Sequence, residues 1–195
     1  MMFDKRKEFF KNYFEKALPY EDFLATYDKD GVYTQKWKSY EDSFSLNSDQ
    51  QQLIKSFIRN LNILVLCGVW CGDCARQVPM LRVIEKANEK YIHLRLIDRD
   101  ENQELQDELR LHGGCRVPFA VFLSEEFYEV SRFGDRTLTA YRRKARAEVG
   151  PACDAGVVKP SPEELQQELQ EWLNEVERVQ LILRTSPYLR ALYGD

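Results

Sequence analysis

Two cysteines separated by two residues, Cys71 and Cys74, are the side chains of this chain best suited to chemistry. A Cys-x-x-Cys pair either exchanges with disulfides or contributes ligands to a metal site, and a structural zinc site needs a second pair or histidines nearby. The chain has 5 cysteines and 2 histidines, and no second Cys-x-x-Cys pair. The spacing therefore favours redox chemistry over zinc binding.

The segments on either side of the pair predict a strand followed by a helix. Residues 63–67 form a short apolar run that ends at Gly68, and apolar residues recur at helical spacing from 78 to 87. At the start of a helix, backbone N–H groups without intrahelical partners and the helix dipole both stabilise a thiolate. We therefore expect Cys71 to be the exposed nucleophile, with a pKa below the usual value of about 8.5, and Cys74 to be the resolving thiol.

Asp73 lies between the two cysteines and is expected to oppose a thiolate. At about 5 Å and an effective dielectric of 20–80, its charge disfavours the Cys71 thiolate by roughly 1–3 kcal/mol. We predict that Cys71 is less acidic than it would be with a neutral residue at position 73.

The hydrophobic pattern predicts alternating helices and strands after residue 48. Ser48 and Gln51 have capping-box spacing and open a helix with an apolar stripe that continues to Leu61. Strands are predicted at 63–67, 92–98, 117–123 and 126–133, and further helices at 1–18, 20–27, from near Cys71 to about 90, at 102–111 and at 138–149. Residues 32–46 show no clear period and are left unassigned. This order predicts a parallel core sheet extended by an antiparallel hairpin.

The C-terminal segment predicts one more helix. Ser161, Pro162 and Glu164 form a strong helix start, and an apolar stripe runs from Leu165 to Leu183. We expect an N-terminal helical extension at 1–44, a catalytic domain at 45–150, and a C-terminal loop and helix at 151–195 that pack on the same domain.

The motif Trp70-Cys71-Gly72-Asp73-Cys74 resembles the thioredoxin signature Trp-Cys-Gly-Pro-Cys, with aspartate in place of proline. Pro79 is similar to the proline that kinks the active-site helix of that family. Val117-Pro118 resembles the cis-proline dipeptide that faces the dithiol, and Gly134 the glycine after the last strand. The resemblance covers roughly residues 45–150.

The resemblance implies a thioredoxin-like α/β fold, with a central mixed sheet flanked by helices, and dithiol–disulfide exchange with other proteins. It implies that Val117 and Pro118 contact the substrate, and that Trp70 is a partly exposed platform beside the dithiol, with Gly72 and Asp73 completing the site. No cofactor or metal is expected, and an unidentified thiol reductant recycles the pair. Position 65 departs from the family, because Val65 stands where a buried aspartate assists the resolving thiol.

Two other interpretations remain open. The first is a binding or redox-sensing module that keeps the scaffold without turnover. The second is an iron–sulfur site, because Cys67, Cys71 and Cys74 have the Cys-x3-Cys-x2-Cys spacing of radical SAM enzymes, although Cys67 falls inside the predicted strand. Cys115 is expected near the rim of the site and Cys153 in a loop.

The composition and charge of the chain limit the classes of partner that we expect. The chain of 195 residues is 44% hydrophobic and 31% charged, with a net charge of −4, which is typical of a globular domain and gives no basic excess for nucleic acid. The charged N-terminus lacks the apolar run of a signal peptide, and no segment is apolar enough to cross a bilayer. We therefore expect a cytoplasmic protein without a membrane or nucleic-acid partner.

Overall fold

The structure is a computed structural model that describes residue 4, residues 6–149 and residues 159–194. The predicted loop position of Cys153 lies outside the described residues. The helices are α1 (Lys7–Lys16), α2 (Tyr20–Tyr27), α3 (Thr34–Ser43), α4 (Ser48–Lys55), α5 (Gly72–Ala87), α6 (Gln103–Glu108), α7 (Leu138–Val149), α8 (Pro162–Thr185) and α9 (Pro187–Tyr193). The strands are β1 (Leu61–Cys67), β2 (Ile92–Asp98), β3 (Phe119–Leu123) and β4 (Glu129–Gly134).

The described strands form one mixed sheet in the order β2-β1-β3-β4. Strand β1 pairs in parallel with β2, with Leu61 opposite Ile92, and antiparallel with β3, with Val65 opposite Ala120. Strand β4 pairs antiparallel with β3. All seven residues of β1 are buried, because helices cover both faces of the central strand. The predicted thioredoxin-like fold, a mixed sheet flanked by helices with helical extensions at both termini, is confirmed.

Helix α3 occupies part of the segment that the sequence left unassigned. Its single buried residue is Trp37, which is fully inaccessible and packs against Tyr20 and Phe23 with ring centroids 5.9 and 6.2 Å apart. One buried side chain in ten residues produces no helical period, so tertiary packing rather than pattern holds this helix.

The start of α4 corrects a prediction. The N-cap is Asn47, whose side chain accepts a hydrogen bond from the Gln50 backbone at 2.9 Å and closes a capping box with Gln50, one residue before the predicted Ser48 and Gln51. Helix α4 ends at Lys55. The predicted apolar stripe of this helix extended to Leu61, but Leu61 is the first residue of β1. At Leu61, the pairing of strand β1 with β2 outweighs the helical spacing of the apolar residues.

Other boundaries are shorter than predicted. Helix α6 stops at Glu108, and a turn closed by hydrogen bonds between Leu111 and Gly114 follows. Strand β3 begins at Phe119 rather than at 117, and β4 at Glu129 rather than at 126, since Phe127 has a positive φ in the connecting turn.

Helices α7 and α8 agree with the sequence prediction. Ser161 and Glu164 close the predicted capping box of α8. The stripe of α8 faces the core, and Trp172 packs edge-on against Phe133 of β4 at 4.7 Å. The short α9 was not predicted.

The N-terminal segment also attaches to the sheet. The backbones of Leu18 and Leu96 exchange two hydrogen bonds of 2.8 Å, and Phe10 and Tyr13 of α1 are buried. Buried side chains from α1, the sheet and α8 belong to one continuous hydrophobic cluster. Among the described helices, none has the length and apolarity needed to cross a membrane.

Candidate active site

Cys71 is the N-cap of α5, at the point where the chain leaves β1. Its backbone is extended, with φ −76 and ψ 122, and its side chain accepts a hydrogen bond from the Cys74 N–H at 3.4 Å. The sulfur therefore lies against the free N–H groups of the first helical turn, as predicted. The thiol is also placed to donate to the Val117 carbonyl, 3.7 Å away.

These contacts lower the pKa of Cys71 to about 7. The largest cause is a hydrogen bond from the Cys74 side chain, and the backbone N–H groups of Cys74 and Asp73 add to it. Partial burial and the charge of Asp73 act in the opposite direction. The lowered pKa increases the fraction of Cys71 that is thiolate near neutral pH, and the thiolate is the form that attacks disulfides.

The pKa of Cys74 is shifted in the opposite direction. It is fully buried, and burial together with its hydrogen bond to Cys71 raises its pKa well above the usual value of a thiol. The pair thus consists of an accessible, acidic thiol and a buried, protonated thiol one turn further along α5.

Cys67 is fully buried at the end of β1, where the strand interpretation places it. Burial raises its pKa, so it holds its proton. Cys115 is half-buried and lies three residues before Pro118. Within the described ranges, no group of three His, Cys, Asp or Glu side chains could hold a metal ion.

Trp70 is 44% exposed beside Cys71, as expected for a platform, and the Arg99 guanidinium lies 4.7 Å from its ring centroid. The loop carrying Trp70 is fixed from α3, because the Trp37 indole donates to the Val69 carbonyl at 2.9 Å. Sequence reasoning missed Trp37, since nothing in the pattern links residue 37 to residue 69.

Asp73 is not an isolated charge. Its carboxylate accepts a hydrogen bond from Arg76 at 2.8 Å and forms a second, short ion pair with Arg136 at the start of α7. The two guanidinium groups partly neutralise the charge of Asp73. That charge still raises the pKa of Cys71, but it is the weakest of the interactions that shift this pKa. The charge of Asp73 acts in the predicted direction, and the hydrogen bonds from Cys74 and the helix N–H groups outweigh it.

Val117 and Pro118 lie opposite the dithiol, and the peptide bond between them is cis, as predicted. Both side chains are buried, so the group they present to Cys71 is the Val117 carbonyl. Gly134 passes very close to this loop: a Cβ at Gly134 would lie 2.6 Å from the Pro118 carbonyl oxygen. A glycine is therefore required for β4 to approach the loop.

Val65, in the middle of β1, is fully buried and pairs with Ala120. The family's assisting carboxylate is therefore absent from this position. The buried amide nearest in sequence to Cys74 is Gln77, which donates to the Asp135 carbonyl at 2.9 Å.

A family model described as thioredoxin matches residues 17–144 of this chain. The chain belongs to the thioredoxin family. The match begins within the segment that the sequence interpretation assigned to an N-terminal extension, so it includes α2 and α3. No curated protein matches the sequence.

Two solved structures resemble this thioredoxin-family chain. A crystal structure of a protein of unknown function from Pseudomonas aeruginosa has 19% identity and a TM-score of 0.63, and the match covers 87% of this chain and 95% of that one. An HIV epitope-scaffold has 20% identity and a TM-score of 0.57, with 91% of this chain and 98% of that chain covered. At these identities the likeness shows the fold alone.

Proposed function

We propose that this protein is a thiol–disulfide oxidoreductase that exchanges the Cys71/Cys74 dithiol with disulfides in other proteins. The observation that carries the proposal is the asymmetry of the pair. The Cys71 sulfur is accessible at the N-terminus of α5 with a pKa of about 7, and Cys74 is buried directly behind it with its proton retained.

The reaction transfers two electrons in two displacements. The Cys71 thiolate attacks one sulfur of the substrate disulfide, forming a mixed disulfide and releasing one substrate thiolate, which takes up a proton. Cys74 then loses its proton and attacks the Cys71 sulfur, which releases the second substrate thiol. The dithiol ends as a Cys71–Cys74 disulfide, and the substrate disulfide ends as two thiols.

A separate thiol reductant is needed to return the pair to the dithiol. No metal or organic cofactor takes part in either displacement. We further propose a cytoplasmic location, where thiols are kept reduced. On the substrate side, the Val117 carbonyl and the exposed Trp70 ring border Cys71 and are the groups that a bound polypeptide would contact.

The test is dithiothreitol-driven reduction of insulin. We expect turnover by the wild type and none above the dithiothreitol background by Cys71→Ser. Reduced Cys74→Ser, freed of dithiothreitol and mixed with insulin, should accumulate a mixed disulfide, because it retains the nucleophile but not the resolving thiol. Cys115→Ser is the matched control and should keep full activity. Equal inactivity of wild type and Cys71→Ser would favour the binding module instead.

A further inference from the structure

A cleft of about 1060 Å³ opens beside Cys71, on the side of α3. Its walls come from α3, the first turn of α5, α7 and the residues that lead into α8. The lining side chains that matter here are Lys36, Cys71, Asp73, Arg76, Arg143 and Lys159. The cleft is large enough for a segment of a polypeptide chain, and it reaches the nucleophile itself.

The charge of the cleft is opposite to that of the molecule. Among the residues that the structure describes, four cationic side chains and one carboxylate, Asp73, line it, although the whole chain carries a net charge of −4. A concave surface concentrates the field of the charges that line it, so an anionic group is attracted there more strongly than elsewhere on this acidic protein.

The two arginines of the cleft are already engaged. Arg76 and Arg143 are buried and both bind the fully buried carboxylate of Glu168, at 3.1 and 2.8 Å. Arg76 also binds Asp73. Their charges are thus largely neutralised by groups of the protein itself.

The two lysines are not engaged in this way. Lys36 and Lys159 are exposed, and neither ammonium group has an ion pair with any residue that the structure describes. The Lys36 ammonium nitrogen lies 3.6 Å from the position that a Cβ on Gly72 would occupy, directly beside the nucleophile. The cleft therefore presents two available positive charges to whatever lies next to Cys71.

We propose that this cleft binds an acidic polypeptide segment flanking the substrate disulfide, with its carboxylates paired to Lys36 and Lys159. The inference rests on the proposed exchange reaction and specifies its substrate class. Charge pairing of this kind selects partners and speeds their encounter more than it adds affinity. Protein disulfides next to Asp or Glu residues are then the preferred substrates.

The experiment compares two synthetic peptides of equal length, each with one internal disulfide. In one peptide, three glutamates flank a cysteine, and in the other three glutamines replace them. The reduced protein is mixed with each peptide at low salt, samples are quenched with acid, and the peptide thiols are separated and counted. The measured quantity is the ratio of the two second-order rate constants.

We expect the wild type to prefer the glutamate peptide. Lys36→Gln and Lys159→Gln should each reduce that preference by about two- to fivefold, as expected for a solvent-exposed ion pair, and salt should reduce it as well. The glutamine peptide reports any effect on the thiolate itself, because such an effect slows both peptides equally. Lys55→Gln, an exposed lysine on α4, is the matched control and should not change the ratio.

Three outcomes separate the possibilities. A ratio near one in the wild type, or a preference that survives in the Lys36/Lys159 double variant, overturns the acidic-substrate inference and leaves the exchange reaction standing. Reduction of neither peptide by the wild type overturns the proposed function, and this inference with it.

Discussion

Cys71 and Cys74 show how strongly position determines the chemistry of one residue type. The N-cap position gives Cys71 hydrogen bonds that stabilise a negative charge, whereas Cys74, one turn later, is enclosed by the core and resists ionisation. In the proposed exchange, the attacking sulfur is thus partly ionised and the resolving sulfur is protonated.

The first prediction concerns pH dependence. Because the pKa of Cys71 is lowered to about 7, alkylation of the reduced protein by iodoacetamide should rise with pH through a midpoint near 7. Mass spectrometry should place the first adduct on Cys71 and none on Cys74 below pH 9. The adduct should be missing in Cys71→Ser. A midpoint at the usual thiol value of about 8.5 would contradict the helix N-terminus as the cause.

The second prediction distinguishes the effect of the Asp73 charge on the pKa of Cys71 from the effect of the ion pairs that neutralise this charge. Removing the negative charge in Asp73→Asn should lower the alkylation midpoint, because the Asp73 charge raises the pKa of Cys71. Removing a neutralising guanidinium in Arg136→Ala should raise the midpoint, and this rise should disappear in the Asp73→Asn background. Equal shifts in both backgrounds would show that Arg136 acts on Cys71 without Asp73.

At the scale of elements, a buried ionic network joins three helices behind the site. Glu168 of α8 is fully buried between Arg76 of α5 and Arg143 of α7, both less than 10% exposed. Because Arg76 also binds Asp73, the network connects the first turn of the active-site helix to the C-terminal helix. The long helix α8 therefore supports the site as well as the core.

The third prediction tests that network. Glu168→Gln keeps the shape of the side chain but leaves two buried guanidinium groups without their shared carboxylate. We expect a loss of about 3–5 kcal/mol in the free energy of unfolding, measured with urea. Glu177→Gln, on the same helix and without an ion pair among the described residues, should cost under about 0.5 kcal/mol. Equal small losses would mean that the network contributes little.

The fourth prediction concerns the approach of β4 to the Val117–Pro118 loop. Gly134 has φ +149, and an added Cβ would lie 2.6 Å from the Pro118 carbonyl oxygen. Gly134→Ala should therefore displace the loop that faces Cys71. We expect about 1–3 kcal/mol of destabilisation, as for other overpacked sites, and slower insulin reduction. Gly31→Ala, which meets no atom within 4 Å, also has a positive φ, +71, and controls for backbone strain alone.

At the scale of the whole molecule, both terminal segments complete one hydrophobic core. Helix α1 ends in a backbone bridge to the outer strand β2, and α8 covers β4 through Trp172. Since the family match ends at residue 144, α8 lies beyond it and yet supplies several fully buried side chains. The C-terminal helix is thus a structural part of this chain's core.

The fifth prediction measures that contribution. Trp172 is fully buried against Phe133, so Trp172→Ala should leave a cavity and cost about 3–5 kcal/mol in the free energy of unfolding. Leu181→Ala, 55% exposed on the same helix, is the control and should cost little. A small loss at Trp172 would show that α8 packs on an otherwise complete domain.

The dithiol and the strand and helix that hold it could be predicted from the residues, and the resemblance to thioredoxins implied the proline loop opposite. These features are local: an apolar run, a helix start and an X-Pro pair are each encoded by adjacent residues. The apolar run that ends at Gly68 and the helical spacing after it placed Cys71 at a helix N-terminus, and the spacing of the two cysteines placed Cys74 one turn behind it.

The surroundings of the two cysteines became known only from the fold. Arg136 reaches Asp73, Trp37 holds the loop before Cys71, and Lys36 lies beside Gly72, although each is more than 30 residues away from its partner in the chain. No periodicity connects such residues, because their contacts depend on how α3 packs against α5 and on where the chain passes before α7 begins. The ion pairs around Asp73 and the charge of the cleft beside Cys71 follow from that packing.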